Sequence, residues 1–272
     1  MAKVFFIDVS HCTGCYCCQL ACKDEHCDNE WLPYAKAQPD TGQFWLKIDE
    51  HTRGTIPKIK MHYVPHLCNH CENAACIEAC AHEAIYKRED GLIIIDPEKC
   101  KGCGKCKDAC AYDAVFMNED LKIAQKCTGC AHLLDAGEEL PRCVQACTME
   151  CLKYGEEEDL KEYLDGAIVM KPETGMGPKV YYKGIPGRFI AGTVYDPIEK
   201  EVVIGAEVVL SGAAGDTTVI TDGFGDFWFK DLGESLTFDL TIKGSGFAEK
   251  TFASLSTAND INLGDIPLEA KA

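Results

Sequence analysis

From Phe189 onward, apolar and polar residues alternate in short runs separated by turn residues. Period-two alternation puts every second side chain on one face, as in half-buried strands. Segments 190–196, 206–210, 217–221 and 226–229 read as strands, and 236–242, 248–255 and 261–263 as further ones. Seven short strands in about 84 residues predict a small antiparallel β-sandwich. The turn Asp222-Gly223-Phe224-Gly225 has glycine where positive φ is needed, so Asp216, Asp222 and Asp226 are assigned to turn chemistry rather than calcium.

Before Phe189 the best apolar run is Leu92-Ile93-Ile94-Ile95, of strand length and ending at Asp96. A membrane-spanning helix needs about 18 apolar residues, so none is expected. The N-terminus, Met1-Ala2-Lys3-Val4-Phe5-Phe6-Ile7, lacks twin arginines and a long apolar region. Cytoplasm is the expected compartment, with carriage across a membrane by a folded partner left open.

Composition sharpens the division. All nineteen cysteines precede position 152. The expected organisation is a ferredoxin-type domain at 1–169 with an insertion at 23–67, a Pro- and Gly-rich linker at 170–188, and the β domain at 189–272. Within the linker, Val180-Tyr181-Tyr182 suits a strand packed back on the first domain. Forty-four acidic against 27 basic residues give a formal charge of −17, which argues against nucleic acid.

Sixteen of the cysteines form four runs: Cys12-x2-Cys15-x2-Cys18-x3-Cys22, Cys68-x2-Cys71-x4-Cys76-x3-Cys80, Cys100-x2-Cys103-x2-Cys106-x3-Cys110 and Cys127-x2-Cys130-x12-Cys143-x3-Cys147. The first and third match the bacterial ferredoxin spacing. Two-residue gaps let successive sulfurs point inward around a cubane, and in two-cluster ferredoxins the last cysteine of each run ligates the other cluster. Four runs therefore imply two such pairs. Zinc would leave the third and fourth cysteines of a run surplus, and a disulfide framework belongs to small secreted domains.

The fifth residue after each run is Cys27, Ile85, Val115 or Leu152, and the fourth is His26, Ala84, Ala114 or Cys151. Cys27 and Cys151 thus fall in apolar or small slots and are expected to pack beside clusters as small hydrophobes. Cys17 is set aside because only Cys18 preserves both the x2 and the x3 gap. The insertion, with Trp31, Phe44 and Trp45, and the segment 131–142 read as loops that shield clusters or meet partners. Lys99, Lys101, Lys105, Lys107 and Lys126 lie near the runs and would raise cluster potentials, although a solvated surface is the simpler account of most.

Four runs in this order resemble the iron–sulfur electron-transfer subunits of the molybdopterin oxidoreductases related to dimethyl sulfoxide reductase, over residues 3 to about 165. The resemblance implies clusters at Cys12/Cys15/Cys18/Cys147, Cys68/Cys71/Cys76/Cys110, Cys100/Cys103/Cys106/Cys80 and Cys127/Cys130/Cys143/Cys22, sixteen iron ligands for four [4Fe–4S] clusters. Asp24-Glu25-His26 with Asn29-Glu30-Trp31, Gln125-Lys126-Cys127-Thr128 with 131–135, and Lys179-Val180-Tyr181-Tyr182-Lys183 are similar to small subunits of the pyrogallol–phloroglucinol transhydroxylase type. The β domain strengthens that likeness and resembles carboxypeptidase-regulatory or transthyretin-like domains. Subunits of that type lack part of the ligand set. All four runs here are full, which favours an uninterrupted electron path and makes related dehydroxylases equally suitable models. The usual proline after each fourth cysteine is replaced by Lys23, Ala81, Ala111 and Thr148.

The resemblance implies a non-catalytic, electron-transferring chain that accompanies a large catalytic chain. That partner carries a molybdenum or tungsten pterin dinucleotide and acts on hydroxylated aromatics, with an external donor or acceptor protein. A stand-alone polyferredoxin, the electron-transfer subunit of another reductase of the family and an anchoring module remain as alternatives. The covering insertion and the appended sandwich count against a diffusible carrier.

Overall fold

The computed structural model describes residues 3–271; Met1, Ala2 and Ala272, within the expected domain bounds, lie outside the described residues. The chain forms two compact units. One runs to Glu50 and resumes over His62–Ile185; the other takes His51–Met61 and everything from Pro186. The insertion is therefore shared, and its hairpin of Leu46–Thr55 and Lys58–Leu67 has its tip in the second unit.

The first unit is organised on a sheet of strand order Leu152–Glu156, Lys3–Asp8, Val180–Lys183, Ile168–Val169. Lys3–Asp8 runs parallel to Val180–Lys183, with Phe5 opposite Val180, and antiparallel to Leu152–Glu156, with Phe5 opposite Tyr154. Val4, Phe5, Phe6 and Ile7 are all buried, because this inner strand is covered on both faces. Segment 170–188 is accordingly a connection only in part.

The cysteine runs lie on loops that lead into short helices. Cys17–His26 is a ten-residue helix; Ala75–Glu78, Lys105–Asp108 and Arg142–Gln145 have four residues each. Hairpins Ile85–Lys87 with Ile93–Ile95 and Phe116–Asn118 with Ile123–Gln125 follow the second and third runs. The apolar slot after each run explains this placement. Ile85 and Leu152 open strands, Val115 precedes one, and all three are buried. Cys27 corrects the expectation, being half-buried at the helix end with Sγ 3.5 Å from Asp40 Oδ1. Segment 131–142 is also more ordered than a loop, since Ala131–Asp135 is helical.

In the second unit, a three-stranded sheet has the order Asp226–Leu232, Arg188–Tyr195, Ile261–Pro267, and a four-stranded one Gly215–Ile220, Glu207–Gly212, Thr237–Lys243, Lys250–Ser256. Inward residues Val208, Leu210, Leu240 and Ile242 meet Ile190, Phe227, Phe229 and Ile266 in one core. The expected all-antiparallel arrangement fails at Arg188–Tyr195 and Ile261–Pro267, which are parallel. A parallel pair requires a crossover, and here the chain leaves the four-stranded sheet after Ser256 to enter the other one.

The hairpin tip is tied in by polar contacts. Arg53 donates to Asp260 at 2.6 and 2.8 Å and to the carbonyl oxygens of Pro186 and Gly187. Lys58 pairs with Asp226, whose other oxygen accepts from Thr193 at 2.7 Å. The Asp226 side chain thus makes an ion pair, while its backbone closes the turn with Asp222. Asp222 fits the turn assignment, accepting from Phe224 N and Asp226 N at 2.9 and 3.0 Å.

Candidate iron–sulfur centres

In three of the four runs the residue before the second cysteine is a glycine with positive φ: Gly14 and Gly102 at 64° and Gly129 at 63°. The left-handed turn reverses the chain between two sulfurs, and a Cβ would not fit: it would meet the Tyr63 ring, the Lys122 carbonyl oxygen and Leu92 Cδ2 respectively. In the second run this place is taken by His70, at φ 42° and fully buried. Its Nδ1 accepts from Ile93 N at 3.0 Å, so the hairpin holds the side chain in this turn. The C-x-G-C repeat is present in the sequence, a signal for these turns that cysteine spacing alone does not use.

Backbone N–H groups, from these turns and from neighbouring segments, point at sulfur. Gly129 N donates to Cys127 Sγ and Ala124 N to Cys100 Sγ, both at 3.3 Å. Gly14 donates to Cys12, Leu46 to Cys22 and Arg142 to Cys130. Such donors stabilise negative charge on a ligand sulfur.

The sixteen cysteines assemble into four groups. Cys18 lies beside Cys147, Cys12 and Cys15. Cys143 neighbours Cys130, Cys22 and Cys127. Cys68, Cys71, Cys76 and Cys110 line one recess, and Cys80, Cys100, Cys103 and Cys106 another. In each case the last cysteine of a run joins its partner run's group. The groups also form a row, because Cys106 neighbours Cys76, Cys127 neighbours Cys68, and Cys143 neighbours Cys18. Cys15 and Cys103, one in each end group, are exposed. The two interior groups contain no exposed cysteine.

Burial pushes the Cys18, Cys71 and Cys130 thiols up to about 12 and those of Cys76, Cys106 and Cys127 to about 11, with neighbouring cysteines adding repulsion. Burial also raises Cys22 and Cys143 well above the usual thiol value. These buried thiols resist ionisation unless a cationic core takes the protons' place, and the gathering of four cysteines at each site suits iron–sulfur cubanes. The remaining three cysteines differ in surroundings. Cys151 is buried, 3.4 Å from Cys147 Sγ, and its hydrogen bond draws Cys12 down to about 6. Cys17 hydrogen-bonds Cys15, and Cys27 faces Asp40.

The insertion covers the group of Cys22, Cys127, Cys130 and Cys143. His26 is buried against Trp45, ring centroids 4.6 Å apart, and burial brings its imidazole down to about 3. His26 Nε2 lies 4.0 Å from Cys130 Sγ. Trp31 stacks on His132 at 4.3 Å, and Glu25 holds both His132 and Arg142.

A 4Fe-4S dicluster domain model matches residues 59–157, and a carboxypeptidase regulatory-like domain model matches 190–269. The chain is 40% identical over 255 residues to the pyrogallol hydroxytransferase small subunit of Pelobacter acidigallici, covering 89% of this chain and 92% of that one. The chain belongs to the iron–sulfur subunits of the molybdopterin oxidoreductases. Other members of this family are a tetrathionate reductase subunit of Salmonella typhimurium, 34% identical over 68% of this chain and 73% of its own, and the arsenate respiratory reductase iron-sulfur subunit of Shewanella sp., 30% identical over 65% and 93%. These relatives are subunits of multi-subunit oxidoreductases, so the family works beside a catalytic partner. Among the described residues no helix is long and apolar enough to cross a membrane.

Proposed function

We propose that this subunit holds four [4Fe–4S] clusters, ligated by Cys12/Cys15/Cys18/Cys147, Cys68/Cys71/Cys76/Cys110, Cys100/Cys103/Cys106/Cys80 and Cys127/Cys130/Cys143/Cys22, and serves a large molybdenum- or tungsten-pterin subunit that acts on hydroxylated aromatics. The supporting observation is the row of four all-cysteine groups with exposed cysteines only in its end groups. Clusters bound there take up and release single electrons. The cysteines fix their order, and backbone N–H groups and burial set their potentials. Cys15 and Cys103 mark the two ends at which electrons enter and leave. The substrate class rests on the relative named pyrogallol hydroxytransferase.

Anaerobic purification of the tagged chain from its host tests this, with partners identified by mass spectrometry and pterin by fluorescence after release. Recovery with a large pterin-bearing chain is expected. A cluster-loaded chain recovered alone would favour a free electron carrier.

A further inference from the structure

Lys99, Lys101, Lys105 and Lys107 are exposed, as expected of lysines on a solvated surface. Lys126 is not: it is 2% exposed and among the largest fully buried side chains. Its Nζ donates to the carbonyl oxygens of Ile93 and Cys127, the latter at 3.0 Å. Among the described residues no aspartate or glutamate forms an ion pair with it. An ammonium buried without an anion costs several kcal/mol, and two neutral carbonyls do not offset that.

The missing anion is supplied by position. Lys126 lines the recess of Cys68, Cys71, Cys76 and Cys110, and it immediately precedes Cys127 of the adjoining group. It stands where the two interior groups of the row meet, since Cys68 and Cys127 are themselves neighbours. Four thiolates on a cubane carry about −2 when oxidised and about −3 when reduced. A nearby fixed cation stabilises the reduced form more.

We infer that Lys126 is the buried counter-charge of the two interior clusters, raising their reduction potentials relative to the two at the ends. Reduction thus gathers electrons at the middle of the row, between the two exposed ends. Lys126 acts as a positioning charge, touching neither substrate nor a reacting atom. The inference rests on the four-cluster reading.

EPR-monitored redox titration of the purified complex tests it, comparing the native chain with Lys126→Met, Lys126→Arg and the exposed control Lys107→Ala, each with iron and sulfide counts. The native count tests the cluster reading by itself. In Lys126→Met the count should hold while two clusters become about tenfold harder to reduce, about 59 mV for one electron. Lys126→Arg should restore most of that shift, and Lys107→Ala should leave all midpoints in place. Unchanged midpoints in Lys126→Met, or equal shifts of all clusters, would overturn the inference. Iron loss in both Met and Arg variants would also overturn it, marking Lys126 as a packing residue.

Discussion

The strands of the second unit are six to eight residues long, and their inward side chains, from Ile190 to Leu268, make one apolar core. In the first unit the helices that carry the third cysteine of the second, third and fourth runs have four residues and the hairpin strands three, and Cys18, Cys22, Cys68, Cys71, Cys106, Cys127 and Cys143 are part of the core itself. A four-residue helix has no stability of its own. The β unit is therefore held by apolar burial, whereas in the cysteine unit sulfurs stand among the apolar side chains of the core and what they bind adds to its stability.

The largest effect that separates the two should come from iron removal. Anaerobic chelation is expected to abolish hydrogen-exchange protection over 62–185 while leaving it over 186–271, because metal binding and folding are coupled only in the first unit. Equal loss in both would break the comparison. In the opposite sense, Arg53→Ala leaves Asp260, whose side chain is 3% exposed, as a buried carboxylate that keeps the Phe189 N–H but loses its ion pair. This should destabilise the second unit by about 3–5 kcal/mol with unchanged iron content, read by thermal unfolding and iron assay.

Smaller changes sharpen the contrast. Gly129→Ala forces a Cβ into a left-handed turn at φ 63° and against Leu92, an expected cost of about 1–2 kcal/mol from backbone conformation before the overlap. Its signature should be iron loss from one site, with the second unit's melting unaltered. Acid should act on the second unit through Asp260 and Asp226. Burial opposes ionisation of both, but hydrogen bonds from Arg53 to Asp260 and from Lys58 to Asp226 hold them below the usual 3.8. A lowered carboxylate pKa means stability fully present above about pH 4 and lost as pH falls through the folded values. Calorimetry should show that loss in the native chain and less of it in Asp226→Asn. Cys27→Ser, away from the four groups, should change neither iron content nor melting by more than about 0.5 kcal/mol.

The two regions were also unequally legible. Family and electron-transfer role were readable because iron chemistry demands cysteines at fixed spacing, and the turn at Asp222 because its residues carry their own geometry. Alternation reports which face is buried but not which way a partner strand runs, so the parallel pairing of Ile261–Pro267 was hidden. The allegiance of 51–61 was hidden too, since Arg53 and Lys58 look like solvated charges until Asp260 and Asp226 are brought beside them. The burial that sets Lys126 apart from the other four lysines was hidden for the same reason: its surroundings come from Ile93, Cys68 and Cys76, far off in sequence. Cys27 misled in reverse, because its slot in the repeat is apolar elsewhere but meets Asp40 here.

Quantifying iron, acid-labile sulfide and zinc in the anaerobically purified complex tests the central claim most directly. Four cubanes predict about sixteen irons and about sixteen sulfides for each copy of this chain, with no stoichiometric zinc. A count near twelve, or zinc in place of iron, would contradict the assignment of the four cysteine groups.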